Sequence, residues 1–154
     1  MIRYVLAALL TVALLGLAGM ALDQASPANS ERELQTAISD IEAAADELQT
    51  NEQVSPADHP NPQRVVEFTI PAPSLTTEGV AHFEIEPVDG ADASIARYTL
   101  DDGTTNEEVV DRRIVYHDRT ANRTTELGET GIQELRLVLL PDEHGDPVVV
   151  AEPP

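Results

Sequence analysis

Residues 4–22 read YVLAALLTVALLGLAGMAL, an apolar run with no charge inside it. At a rise of about 1.5 Å per residue, a helix over this run reaches ~28 Å, close to the ~30 Å hydrocarbon core of a bilayer. The run predicts a transmembrane helix over 4–22, with residues 1–3 as a short cytoplasmic start. Arg3 precedes the run and Asp23 follows it. The positive-inside tendency then keeps the amino terminus in the cytoplasm and sends the rest of the chain outside the cell. The competing reading is a cleaved secretory signal with Gly19-Met20-Ala21 as its exit, which releases a secreted acidic domain after Ala21. The length of the run favours retention, so the expected location is the cell membrane, single-pass, with an extracellular C-terminal domain.

The remainder is acidic. Among 154 residues, 28 carboxylates face 9 basic side chains, for a formal net charge of −19, and every basic residue is arginine. Such a surface repels itself at ordinary salt and is relieved in molar salt, where the Debye length falls to ~3 Å. The composition therefore points to a salt-adapted, halophilic protein. It speaks against nucleic acid as a partner, because displacing phosphate counterions needs a basic face. There is no cysteine, which excludes a disulfide framework, a thiolate metal site and a cysteine nucleophile.

Residues 23–53 predict a stalk helix. Ser26-Pro27 should kink or break the chain, since proline disfavours helix at the residue before it. Ser30-Glu31-Arg32-Glu33 reads as a capping box, with Ser30 and Glu33 as the capping residues. Leu34, Ile38, Ile41, Ala45 and Leu48 then recur at steps of four and three, the stripe of an amphipathic helix that covers a sheet. Residues 54–63, VSPADHPNPQ, carry three prolines and predict an extended linker.

From residue 64 to 154 the period changes to two. Val66, Phe68 and Ile70 alternate with polar neighbours, as do Ala81, Phe83 and Ile85, the pattern of half-buried strands. Further strands are expected over 95–100, 107–111 with 114–117 as one bent strand or two, 133–140 and 148–151. Asp101-Asp102-Gly103 is a hairpin signal, and 119–131 reads as a long polar loop. Short connections imply an antiparallel meander. The expected fold is α+β: a transmembrane helix, a stalk helix, and an extracellular antiparallel β-sheet head packed on the stalk.

Chemistry is sparse. His59, His82, His117 and His144 lie far apart and share no zinc-ligand spacing. Asp101-Asp102-Gly103 and Asp142-Glu143-His144-Gly145-Asp146 are oxygen-rich but do not match a calcium loop, and they read as turns. No nucleophile elbow or phosphate-binding glycine loop is present. No catalytic, cofactor or metal site is expected, and the chain reads as a non-enzyme. Asn122-Arg123-Thr124 is an N-glycosylation sequon, which makes Asn122 a candidate acceptor in an exposed loop.

The opening MIRYVLAALLTVALLGLAG and the following ANSERELQTAISDIEAAADEL, ahead of an antiparallel sheet, resemble type IV pilins and pseudopilins. With the acidic, lysine-free surface, the chain looks like an uncharacterised family of small haloarchaeal membrane proteins of pilin-like design. The resemblance implies a pilin-like or accessory subunit of a filament or secretion apparatus, with the bilayer, like subunits and assembly machinery as partners. Pilins carry a small residue before their processing site and a glutamate inside the apolar run. This chain has Arg3-Tyr4 and Ala8 instead, which implies a minor, accessory or non-filament role. The alternative is an independent membrane-anchored extracellular binding module.

Overall fold

A computed structural model of the chain describes residues 2–56, 58–117, 123–128 and 130–152. Within the first helix it describes the side chains of Ala7, of residues 9–15 and of everything from Ser26 on. The element order is α1 (Ile2–Asn51), β1 (Gln63–Ile70), β2 (Val80–Pro87), β3 (Ser94–Leu100), β4 (Thr105–Val110), β5 (Ile114–Tyr116), β6 (Thr125–Glu126), β7 (Gly131–Pro141) and β8 (Pro147–Glu152).

The first correction concerns α1, which runs 50 residues with Pro27 inside it. There is no separate anchor and stalk. Among the described residues no helix is long and apolar enough to cross a membrane, which overturns the transmembrane helix expected over 4–22. Part of that run lies outside the described side chains. The apolar run is the opening part of one longer helix whose remainder is charged and packed on the sheets. Pro27 removes one helical N–H and crowds the preceding turn, yet the helix continues through it, and a loop docks on that turn. Glu78 N donates to the Ser26 carbonyl at 3.3 Å. Asn29 Nδ2 donates to the Thr76 carbonyl at 2.9 Å.

The capping box is the second correction. Ser30 is fully buried in mid-helix, and its hydroxyl donates to the carbonyls of Glu78 at 2.7 Å and Ser26 at 3.2 Å. Glu33 likewise lies within the helix, so neither residue caps a helix start. The helix ends at Asn51, two residues short of the expected boundary, with Glu52 N donating to the Leu48 carbonyl. Prolines follow at 56 and 60.

The third correction concerns the head, which is two sheets rather than one. Sheet A has the order β1-β7-β8-β5 and sheet B the order β4-β3-β2-β6. All pairs are antiparallel except β5 with β8, which is parallel. The stretch left open as one bent strand or two is two strands, β4 and β5, one in each sheet. The expected loop 119–131 contains β6, paired to β2 through Glu84 with Glu126 and Ile85 with Thr125.

The core lies between the inner faces. Val66, Phe68, Ile70, Leu135, Leu137, Leu139 and Val149 come from sheet A, and Phe83, Ile85, Ala96, Tyr98 and Leu100 from sheet B. Phe68, Phe83 and Tyr98 stack edge to face at 6.3 and 6.4 Å, crossing from one sheet to the other. Burial, then Glu108 and Glu31, push the Tyr98 hydroxyl up to about 12. Ser94 is fully buried, and its Oγ accepts from Ile114 N at 2.9 Å, tying β3 to β5 across the sheets.

Helix α1 closes the open side between the edge strands β1 and β4. Leu34, Ile38, Ile41, Ala45 and Leu48 are all buried in the same core. Carboxylates flank this stripe on both sides. Arg64 of β1 reaches Glu52 at 3.1 Å and Glu47 at 3.4 Å. On the other flank Asn106 Nδ2 donates to Glu31, Asp111 N donates to Glu42, and Arg112 pairs with Asp46. Ile41→Ala should destabilise the folded head by about 2–5 kcal/mol, read as a lowered urea midpoint, because a fully buried side chain leaves a cavity.

Candidate functional site

The feature that sets this structure apart is the first part of α1. Leu9, Leu10, Val12, Leu14 and Leu15 are between 58% and 68% exposed, whereas from Ser26 onward one stripe of the helix is buried. Successive residues turn by about 100° in a helix of 3.6 residues per turn, so these five side chains face every side. The hydroxyl of Thr11 donates back to the Ala7 carbonyl at 2.9 Å, so this polar group is satisfied within the helix. An exposed apolar surface of this kind marks an interaction site. A helix that is apolar all round needs enclosure on all sides rather than one partner face.

The base of this segment is held stiffly. Ser26, Asn29 and Ser30 all bond the segment 76–78 that leads into β2. That loop is closed on itself: Ser74 Oγ accepts from Thr76 N and Thr77 N, and Thr77 Oγ1 donates to the Ala72 carbonyl. Sequence reasoning missed this brace. Its signal was present, because Ser26 and Ser30 extend the stripe Leu34–Ile38–Ile41 at helical spacing. A small polar residue on a buried stripe marks where another backbone approaches.

The residues singled out for chemistry do not converge. His59 lies in the linker, with its N–H donating to the Pro56 carbonyl. His82 is on β2, and its Nε2 lies 3.0 Å from Glu84. His117 follows β5 at a positive φ of 56° and donates its N–H to the Ala151 carbonyl. His144 is in the β7–β8 turn, with Nδ1 3.9 Å from Asp142. Among the described residues, no group of three or more His, Cys, Asp or Glu could hold a metal. The acidic turns use their oxygens internally. Asp142 Oδ1 accepts from His144 N and Asp146 N, and Asp102 Oδ1 accepts from Thr104 N. Gly103 sits at φ 88° as the Asp-Gly turn requires. Asn122 lies outside the described residues.

The outer face of sheet B carries a charged row that the sequence did not reveal. Glu84, Arg97 and Glu107 are register partners across β2, β3 and β4. Arg97 donates to both carboxylates at 2.7 Å. Hydrogen bonds to Glu107 first and Glu84 second raise the Arg97 guanidinium above its usual value. The Glu84 carboxyl lies below the usual carboxylate range, held there first by His82 and then by Arg97, against a partial burial that acts the other way. A carboxyl depressed by folding stabilises the protein above its unfolded pKa, and that stability is lost as pH falls through the folded value. Glu84→Gln should therefore lower the unfolding free energy by about 1 kcal/mol at neutral pH. In a pH series of urea melts the deficit should shrink below pH ~4, as the wild-type carboxyl takes up its proton.

No curated protein and no solved structure matches this chain. One family does, over residues 1–154, and the chain belongs to it: a domain of unknown function (DUF7311).

Proposed function

We propose that this chain is a non-enzymatic surface protein, a pilin-like or accessory subunit of a filament or secretion apparatus, that assembles through the first part of α1. The observation that carries this reading is the exposed apolar girth of residues 9–15 at the end of a helix whose other part is locked into the head. Enclosing such a helix takes several neighbours, and the helices of like subunits supply them. The brace at Ser26, Asn29 and Ser30 supports the same reading, because it transmits the position of the head to the helix. The acidic surface supports a head that works in a salt-rich medium, where charges on crowded neighbouring heads are screened.

The test uses the full chain in molar salt without detergent. Light scattering should find a large assembly, and Leu10→Asp with Leu14→Asp should reduce it to a monomer with an unchanged urea midpoint. A wild-type chain that stays a 16.6 kDa monomer rules the reading out. Raising KCl from about 0.1 M to about 3 M should raise the thermal midpoint of the monomeric variant, because screening relieves its self-repulsion. A flat or falling midpoint removes the salt-adapted part of the reading.

A further inference from the structure

We propose that the outer edge of β1 takes up a short extended segment of a partner protein, rich in arginine or lysine, as an added strand. Register decides which backbone groups are available. Leu139 N donates to the Pro62 carbonyl, and β1 pairs with β7 residue for residue from Gln63↔Val138 to Ile70↔Gly131. Bonded pairs alternate with unbonded ones in an antiparallel ladder, so Arg64, Val66, Phe68 and Ile70 bond to β7. Val65, Glu67 and Thr69 turn their N–H and C=O groups the other way, off the edge of sheet A. Their side chains are exposed. Among the described residues, nothing bonds the outward backbone groups of Glu67 and Thr69.

The other sheet edges are short or tied. Strand β5 has three residues and β6 two. Strand β4 and the turn after it are fastened to α1 through Asn106, Asp111 and Arg112. Strand β1 has eight residues with no proline, lysine or bulge, the devices that blunt an edge. Among the described residues, its side-chain ties to α1 stop at Arg64, which holds Glu47 and Glu52. Beyond Arg64 a groove of about 390 Å³ opens between helix and strand, lined by Glu33, Thr36, Ala37 and Asp40 of α1 and by Phe68 and Thr69 of β1. An added strand bonds the bare main chain there, and its alternate side chains read the surroundings. Those surroundings are acidic. Glu33 and Asp40 line the groove and Glu67 stands on the exposed face, and no ion pair engages them among the described residues. A cationic segment neutralises them, whereas a second copy of β1 brings its own Glu67, and like charges directly opposite destabilise a strand pair. The inference stands apart from how the first part of α1 is covered, because this edge belongs to the head.

The probe is a fluorescent eight-residue peptide of alternating arginine and valine, titrated into the full chain in molar KCl and followed by anisotropy. It should bind saturably, and the same peptide with glutamate for arginine should bind at least tenfold more weakly. Thr69→Pro removes one outward N–H and spares the β7 ladder, since an edge tolerates proline in that orientation. It should weaken the arginine peptide at least tenfold, while Thr69→Val, which keeps the amide, should change it less than twofold. N-methylation of every valine or of every arginine blocks alternate peptide amides, and at least one of the two forms should bind tenfold more weakly. Several results overturn the proposal: no saturable binding by the folded chain, equal binding of the glutamate peptide, undiminished binding of both methylated forms, or undiminished binding by folded Thr69→Pro. A dimer of the Leu10→Asp, Leu14→Asp chain that Thr69→Pro dissolves gives the edge to a second copy and overturns it too.

Discussion

The structure depends on one helical stripe filling the gap between two sheet edges. Leu34, Ile38, Ile41, Ala45 and Leu48 enter the core between β1 and β4. Without them each sheet would present half an apolar face to water. The stripe is narrow, so the flanks of the helix stay charged, and those charges reach the strands on either side. Arg64 meets Glu47 and Glu52 on the β1 flank, while Arg112 and the Asp111 amide meet Asp46 and Glu42 on the other. Exposed pairs contribute little stability singly. Here they matter as a fence that fixes the rotation of the helix, and thereby which side chains point inward.

Much of the head was legible because period and turn chemistry are local. The alternation of Val66, Phe68 and Ile70, the Asp101-Asp102-Gly103 turn and the stripe from Leu34 to Leu48 all reappear in the structure. What failed was tertiary. Ser26-Pro27 and the Ser30–Glu33 motif carry sound local signals for a break and a fresh helix start. The helix runs through both, and a docking loop supplies partners to that turn. The division into two sheets was also hidden. Strands β4 and β5 are separated by three residues, yet they join different sheets. The pairing of β5 with β8 is set by chain returning from more than thirty positions away, and no local pattern encodes it.

Function was less legible than fold for a physical reason. In so acidic a chain, carboxylate pairs occur everywhere, and those in the turns bind their own backbone amides. The informative polar groups are the exceptions: Arg97 bridging Glu84 and Glu107 in register, and the outward backbone row of β1. Neither can be told from its neighbours until the strands are paired.

The position of β8 has a consequence for how the molecule comes into being. The last strand in sequence lies inside sheet A, between β7 and β5. Synthesis proceeds from the amino terminus, so sheet A stays split until the ribosome has delivered residues 147–152. The nucleus that joins β1, β7, β8 and β5 draws on distant parts of the chain, a topology that matures slowly. Throughout that interval the greasy opening of α1 exists without a finished body behind it, and exposed apolar surface of that kind is prone to aggregation.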